Sequence, residues 1–227
     1  MRRSPNTHLI GTPDSRTRLA TPALLLDLDA CEYNIALMSN YCREAGIGLR
    51  PHAKSHKCTR IAALQRKTGA AGVATATVRE AEAMIAAGMT EVLITSPVVG
   101  ETKIDWLCSL IHENAGLTIV VDSSENVRAL DMALIRHRKS VSVLIDIDVG
   151  MKRTGVATIV DAVALARLVR GSQAMKFAGL QCYSGLVQHI PDAAERAATC
   201  WSTSGPSMPA DHCSLFGPSR SEHMAMT

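Results

Sequence analysis

Residues 117–148 read LTIVVDSSENVRALDMALIRHRKSVSVLIDID. The two apolar runs, Leu117 to Asp122 and Val141 to Asp148, have the β-branched richness and the length of buried strands. Between them, Ser124 to His137 has the apolar period of a helix. A strand leading into a helix that leads into another apolar strand is the unit of parallel α/β architecture.

The same unit recurs on both sides. Upstream, the pattern predicts a strand at Ala23 to Leu28, then a helix at Asp29 to Ala45. Asp29 is read as the cap of that helix, Glu32 as its capping-box partner and Gly46 as its stop. Gly48 to Lys54 is expected as the next strand, followed by a helix over about 57–68. Strands follow at Gly72 to Thr77 and Glu91 to Ser96, with helices at Val78 to Ala87 and Glu101 to Asn114. Downstream, Asp161 to Arg170 reads as a helix and Lys176 to Tyr183 as a strand. Units of this size suit a ring closed by right-handed crossovers. An open doubly wound sheet usually carries a Gly-rich phosphate turn after its first strand, and neither GxGxxG nor GxxxxGK[ST] occurs here. The expected fold class is therefore α/β, an incomplete TIM-type (β/α) barrel followed by a disordered C-terminal tail.

Composition agrees. The chain has 227 residues, 47% hydrophobic and 20% charged, with only 3% aromatic. Its core is thus assembled from aliphatic side chains, as in helices packed on parallel strands. A net charge of +3 is too mild for a nucleic-acid footprint, so no nucleic-acid partner is expected and small molecules are the better fit. Seven scattered cysteines, an odd number without a CxxC pair, suggest neither a zinc site nor a redox centre, which fits a reducing cytoplasm. No apolar run is long enough for a membrane helix, so no membrane partner is expected, and residues 1–17 read as a flexible leading segment. After residue 199 the sequence turns to Ser, Pro, Gly and Met without helical or strand period. Residues 200–227 are expected to be disordered, either as an ordinary terminus or as the product of a shifted reading frame or splice variant.

The densest chemistry lies in Arg50-Pro51-His52-Ala53-Lys54-Ser55-His56-Lys57-Cys58, at the C-terminal end of a predicted barrel strand. Barrel active sites sit at that end. Alternation sends Arg50, His52 and Lys54 to one face of the strand. A lysine desolvated there favours its neutral amine, the form that attacks an aldehyde. A solvated charge run is the commoner fate of such clusters, and Lys57 rivals Lys54 for any nucleophilic role.

Together with the TPALLLDLDACEYNI opening, EVLITSPVVG, IDIDVGMKRTGV and AGLQCYSGLVQH, this segment resembles the D-threonine aldolase and D-serine dehydratase family, whose N-terminal domain is an alanine-racemase-like barrel (fold type III). The resemblance covers roughly residues 18–199 and implies a truncated barrel domain over that range. It implies pyridoxal 5'-phosphate as cofactor, with Lys54 as the lysine that binds it covalently and is catalytic. His52, Arg153 and Tyr183 are implied as further cofactor-binding residues, with Gln181 and His189 as weaker matches. The implied activity is that of a lyase on D-configured β-hydroxy amino acids, either cleaving to glycine plus an aldehyde or dehydrating with loss of ammonia. A non-catalytic cofactor-binding protein or an inactive fragment is the alternative.

Counting from the strand that ends near Lys54, six of the eight barrel strands are legible; Ala23 to Leu28 resembles the strand that joins the family's separate C-terminal β-domain, and the Gly-rich phosphate loop near the seventh strand has no counterpart. The divalent metal of full-length relatives also lacks its ligands; His212 and Cys213 are adjacent in the tail and are not assigned to it. A homodimer is the implied assembly.

Overall fold

The computed structural model describes residues 4–112 and 116–203. Five strands, β1 (Val73–Thr75), β2 (Val92–Ile94), β3 (Thr118–Val121), β4 (Val141–Ile147) and β5 (Met175–Cys182), form one sheet in chain order. Every neighbouring pair is parallel. Helices α1 (Leu28–Glu44) and α2 (Thr59–Lys67) precede β1. Helices α3 (Val78–Ala86), α4 (Glu101–Leu110), α5 (Ser124–Arg136) and α6 (Ile159–Gly171) make the crossovers, and α7 (Ala193–Thr203) follows β5.

Strand alternation builds two layers. Val92, Ile94, Ile119, Val121, Val143 and Ile145 turn to the helices and pack with Leu107, Leu130, Leu134 and Val169, all essentially inaccessible to water. The other parity places Leu93, Val120 and Leu144 together on the concave face, with Ala178 against them. Three crossovers begin in the same way. The hydroxyls of Thr77, Ser123 and Thr158 accept the backbone N–H groups of Glu80, Asn126 and Asp161, satisfying donors that the first helical turn leaves free. Replacing Thr77 by alanine is expected to cost about 1 kcal/mol in a urea melt, the usual worth of such a cap.

The first helix is capped by Asp27, not Asp29: the Asp27 carboxylate accepts the N–H of Ala30 at 2.9 Å, and Asp29 lies inside the first turn. Ala23 to Leu28 is not a strand. No neighbouring strand among the described residues pairs with it, and Leu24, Leu25 and Leu26 are exposed. Gly48 to Lys54 runs beside β1 but forms only a bridge at His52 and Ala74. Ala53 N–H donates to Ala74 O and Ala74 N–H to Pro51 O, both at 2.8 Å. Pro51 has no N–H with which to continue the ladder, so the segment stays extended without becoming a full strand.

Strand β5 carries a bulge opposite the Val143/Leu144 step, at Gly179 with φ +133°. One extra residue rephases the rest of the strand. Leu180 then packs with the helix-side core, while Gln181 lies opposite Asp146. Helix α7 runs through Thr203, past the boundary expected at residue 200, and the remainder of the tail, with His212 and Cys213, lies outside the described residues. Among the described residues no helix is long and apolar enough to cross a membrane.

Candidate functional site

Arg50, His52 and Lys54 climb one side of the concave face, while Ala53 between them is buried in the helix-side core. At the bottom, the Arg50 guanidinium donates to the Glu91 carbonyl and helps line a cavity of about 300 Å³ with Glu91, Thr118, Ser142 and Lys176. That cavity lies at the N-terminal ends of the strands, away from the end where β/α barrels do chemistry.

His52 occupies the layer above. Its Nδ1 accepts the backbone N–H of Lys54 at 3.2 Å, so the ring proton belongs on Nε2, which lies 3.1 Å from Thr95 Oγ1. The Thr95 hydroxyl in turn donates to the Thr75 carbonyl at 3.1 Å. Burial, with the Lys54 charge next in importance, lowers the His52 pKa from its ordinary 6.5 to about 4. Between these values the unfolded chain binds a proton that the folded chain refuses, so the stability owed to neutral His52 is complete above about 6.5. It is lost as pH falls toward 4. A proton NMR titration of the His52 ring is expected to show its midpoint near 4, and a midpoint near 6.5 would contradict this geometry.

Lys54 is exposed at the top. The expectation of a desolvated amine is corrected here: the Lys54 side chain is open to water. Its Nζ lies 5.5 Å from the centroid of the Tyr183 ring, and the Arg153 guanidinium carbon lies 5.9 Å from the same centroid. Two cations from distant parts of the chain thus converge on one aromatic ring. Lys57, by contrast, has φ +48° and its ammonium is paired with the Glu80 carboxylate. Burial acts to raise the Glu80 pKa, but hydrogen bonds from Lys57 and from Ala76 N–H bring it below its ordinary value.

Arg153 is carried by a loop shaped by its own backbone. The Asp148 carboxylate accepts the N–H groups of Gly150 and Lys152, at 3.0 and 2.9 Å. Gly155 N–H donates to Asp122 Oδ2 at 3.2 Å. Val156 then returns alongside the end of β4, donating to Asp146 O at 2.9 Å and accepting from Asp148 N–H at 3.0 Å.

Asp146, which the sequence reading does not single out, and Gln181, a weaker match there, complete the site. Asp146 is only 2% exposed, and burial pushes its carboxyl up against the opposing hydrogen bonds of Gln181 and Thr154. Gln181 Nε2 donates both to Asp146 Oδ1 at 2.9 Å and to the Thr95 carbonyl at 3.0 Å. The available signal was an acid embedded in the apolar run VSVLIDI, in phase with Ser142 and Leu144. His189 lies exposed at the end of the short 3-10 turn Leu186–His189. Among the described residues no three His, Cys, Asp or Glu side chains gather as a metal site.

Residues 26–204 match the family described as alanine racemase, N-terminal domain. The chain is 37% identical over 187 residues to a D-threonine aldolase of Arthrobacter sp, covering 82% of this chain and 49% of that protein. It is 34% identical over 143 residues to a D-threo-3-hydroxyaspartate dehydratase of Delftia sp., covering 63% of this chain and 37% of that one. The crystal structure of D-threonine aldolase from Filomicrobium marinum superposes with a TM-score of 0.78 at 40% identity, covering 87% of this chain and 52% of the other. The chain therefore spans about half the length, or less, of the relatives it matches.

Proposed function

Because this chain belongs to the alanine racemase N-terminal domain family, we propose that it is the barrel part of a pyridoxal-phosphate-dependent lyase acting on D-configured β-hydroxy amino acids. The observation that carries this reading is the convergence of the Lys54 ammonium and the Arg153 guanidinium on the Tyr183 ring at the C-terminal ends of the strands. An amine, a second cation and an aromatic wall suit a flat, anionic aldehyde. When bound, that cofactor supplies an electron sink for the amino acid joined to it.

The chain's own groups have distinct tasks. Lys54 provides the nucleophilic amine, whose attack requires the neutral form. Arg153 offers a positive charge that steadies a developing negative oxygen. Tyr183 gives the reactants a wall on one side, and neutral His52 fixes the backbone at Lys54 without adding a competing charge. The substrate is either split between its α and β carbons, giving glycine and an aldehyde, or loses its α-proton and β-hydroxyl as water, after which a water molecule hydrolyses the resulting imine to a keto acid and ammonia. The divalent metal of full-length relatives does not fit the described residues, and no step is assigned to it.

The same reading divides the chain into a leading segment 1–17, a barrel domain 18–199 and a tail 200–227. It places the protein in the cytoplasm as a homodimer. Because the relatives are about twice as long, binding of the cofactor without turnover is the second reading.

Incubation with pyridoxal phosphate, reduction with borohydride and peptide mapping test the proposal. The label is expected on Lys54; a label confined to Lys57 would reassign the nucleophile, and no label would overturn the reading. D-Threonine and D-serine then separate the outcomes: an aldehyde marks the aldolase, a keto acid marks the dehydratase, and labelling without product marks the second reading.

A further inference from the structure

We propose that Thr95, Gln181 and Asp146 are positioning residues, a hydrogen-bonded relay across the concave face that aims Lys54, Tyr183 and Arg153 at one point. The inference rests on the cofactor reading above but concerns residues that reading does not use.

The links run without interruption. Asp146 Oδ1 accepts from Gln181 Nε2 at 2.9 Å, and the same nitrogen donates to the Thr95 carbonyl at 3.0 Å. Thr95 Oγ1 faces His52 Nε2 at 3.1 Å, and His52 Nδ1 holds the Lys54 N–H at 3.2 Å. Each link joins a different part of the fold: β4, β5, the end of β2 and the segment before β1. Each branch of the relay also ends at a site residue. Lys54 is held directly, and Gln181 sits two residues before Tyr183 on the rephased end of β5. The Thr154 hydroxyl, next to Arg153, bonds to the Asp146 carboxyl.

Stability alone does not account for this arrangement. The layer beneath is filled by Leu93, Val120 and Leu144, and an apolar continuation of it would avoid the desolvation of a nearly inaccessible acid. A fully paired polar network fixes one geometry where apolar packing would allow several. Supporting contacts of this kind keep a reactive group within a fraction of an ångström of its productive position.

The test uses the full chain and two pairs of variants. Thr95→Val keeps the shape and removes the hydroxyl, whereas Thr95→Ser restores it. Asp146→Leu removes the acceptor, whereas Asp146→Asn retains an oxygen for Gln181 and a donor for Thr154. One readout is the partition of borohydride-trapped pyridoxal phosphate between Lys54 and Lys57. The other, free of cofactor, is the rate of Lys54 acetylation by acetic anhydride relative to exposed Lys103.

Thr95→Val and Asp146→Leu are expected to shift trapping away from Lys54 by about fivefold or more and to change the acetylation ratio by about threefold, with helical circular dichroism retained. Thr95→Ser and Asp146→Asn should stay within about twofold of the native chain. Native behaviour in both readouts for the disruptive variants would overturn the relay, as would Thr95→Ser behaving like Thr95→Val. If Asp146→Leu fails to fold, the threonine pair decides. If the native chain is never labelled at Lys54, the cofactor reading fails, while the acetylation ratios still judge the relay by the same criterion.

Discussion

Replacing Lys54 by alanine is expected to reduce borohydride-trapped pyridoxal phosphate at the site to background, a loss of about a hundredfold or more, because among the described residues no other amine stands where the attack must occur. Lys57 is three residues away, but its ammonium is engaged by Glu80 and its backbone lies in the left-handed region, pointing it along a different course. Lys57→Ala should therefore retain most of the label. Lys54→Arg tests the chemistry separately from the charge: it preserves a cation beside Tyr183 but offers no amine able to condense with an aldehyde. It should fail as completely as alanine. Quantitative peptide mass spectrometry of the reduced adduct measures all three, and full labelling of Lys54→Ala elsewhere in the same loop would sink the assignment.

The second large effect is expected at Gly155. Its φ of +99° is one that side-chain-bearing residues rarely adopt, and an added Cβ would sit 2.5 Å from Asp148 N and 2.6 Å from the carbonyl carbon of Ile147. Both obstacles are backbone and cannot swing aside. Gly155→Ala must either strain the chain or push the loop off the end of β4, losing the pairing of Val156 with Ile147 and the hydrogen bond from Gly155 to Asp122. A destabilisation of about 2 kcal/mol or more follows from the backbone conformation and the clash. Because the same loop carries Arg153, cofactor retention should weaken together with stability. Urea melts and a pyridoxal-phosphate titration measure the two effects, and a variant native in both would show that the loop tolerates another path.

The periodicity of the chain was a good guide where the physics is local. The strand and helix runs of 117–148 appear in the structure with no end shifted by more than one residue, because burial on one face imposes its period directly on the sequence. The alternation of Arg50, His52 and Lys54 likewise foretold their shared face. The length of pairing was less legible: a proline at position 51 and the absence of a described neighbour for Ala23 to Leu28 turned two expected strands into extended segments. The bulge at Gly179 was also hidden, although it decides that Gln181 rather than Leu180 faces Asp146. Asp146 itself was legible only as an acid in an apolar run. Its importance lies in partners 35 and 8 positions away in the chain, Gln181 and Thr154, and such a meeting has no local signature.

The sequential strand order has a consequence for how the molecule is made. Each strand after β1 pairs with the one synthesised just before it, so every new crossover closes onto an edge already in place. This order permits growth from the N-terminal side as the chain leaves the ribosome. Within this sheet, β5 is last to join, and it brings Gln181 and Tyr183 with it. The candidate site is therefore assembled only at the end of that growth, after the scaffold beneath it has formed.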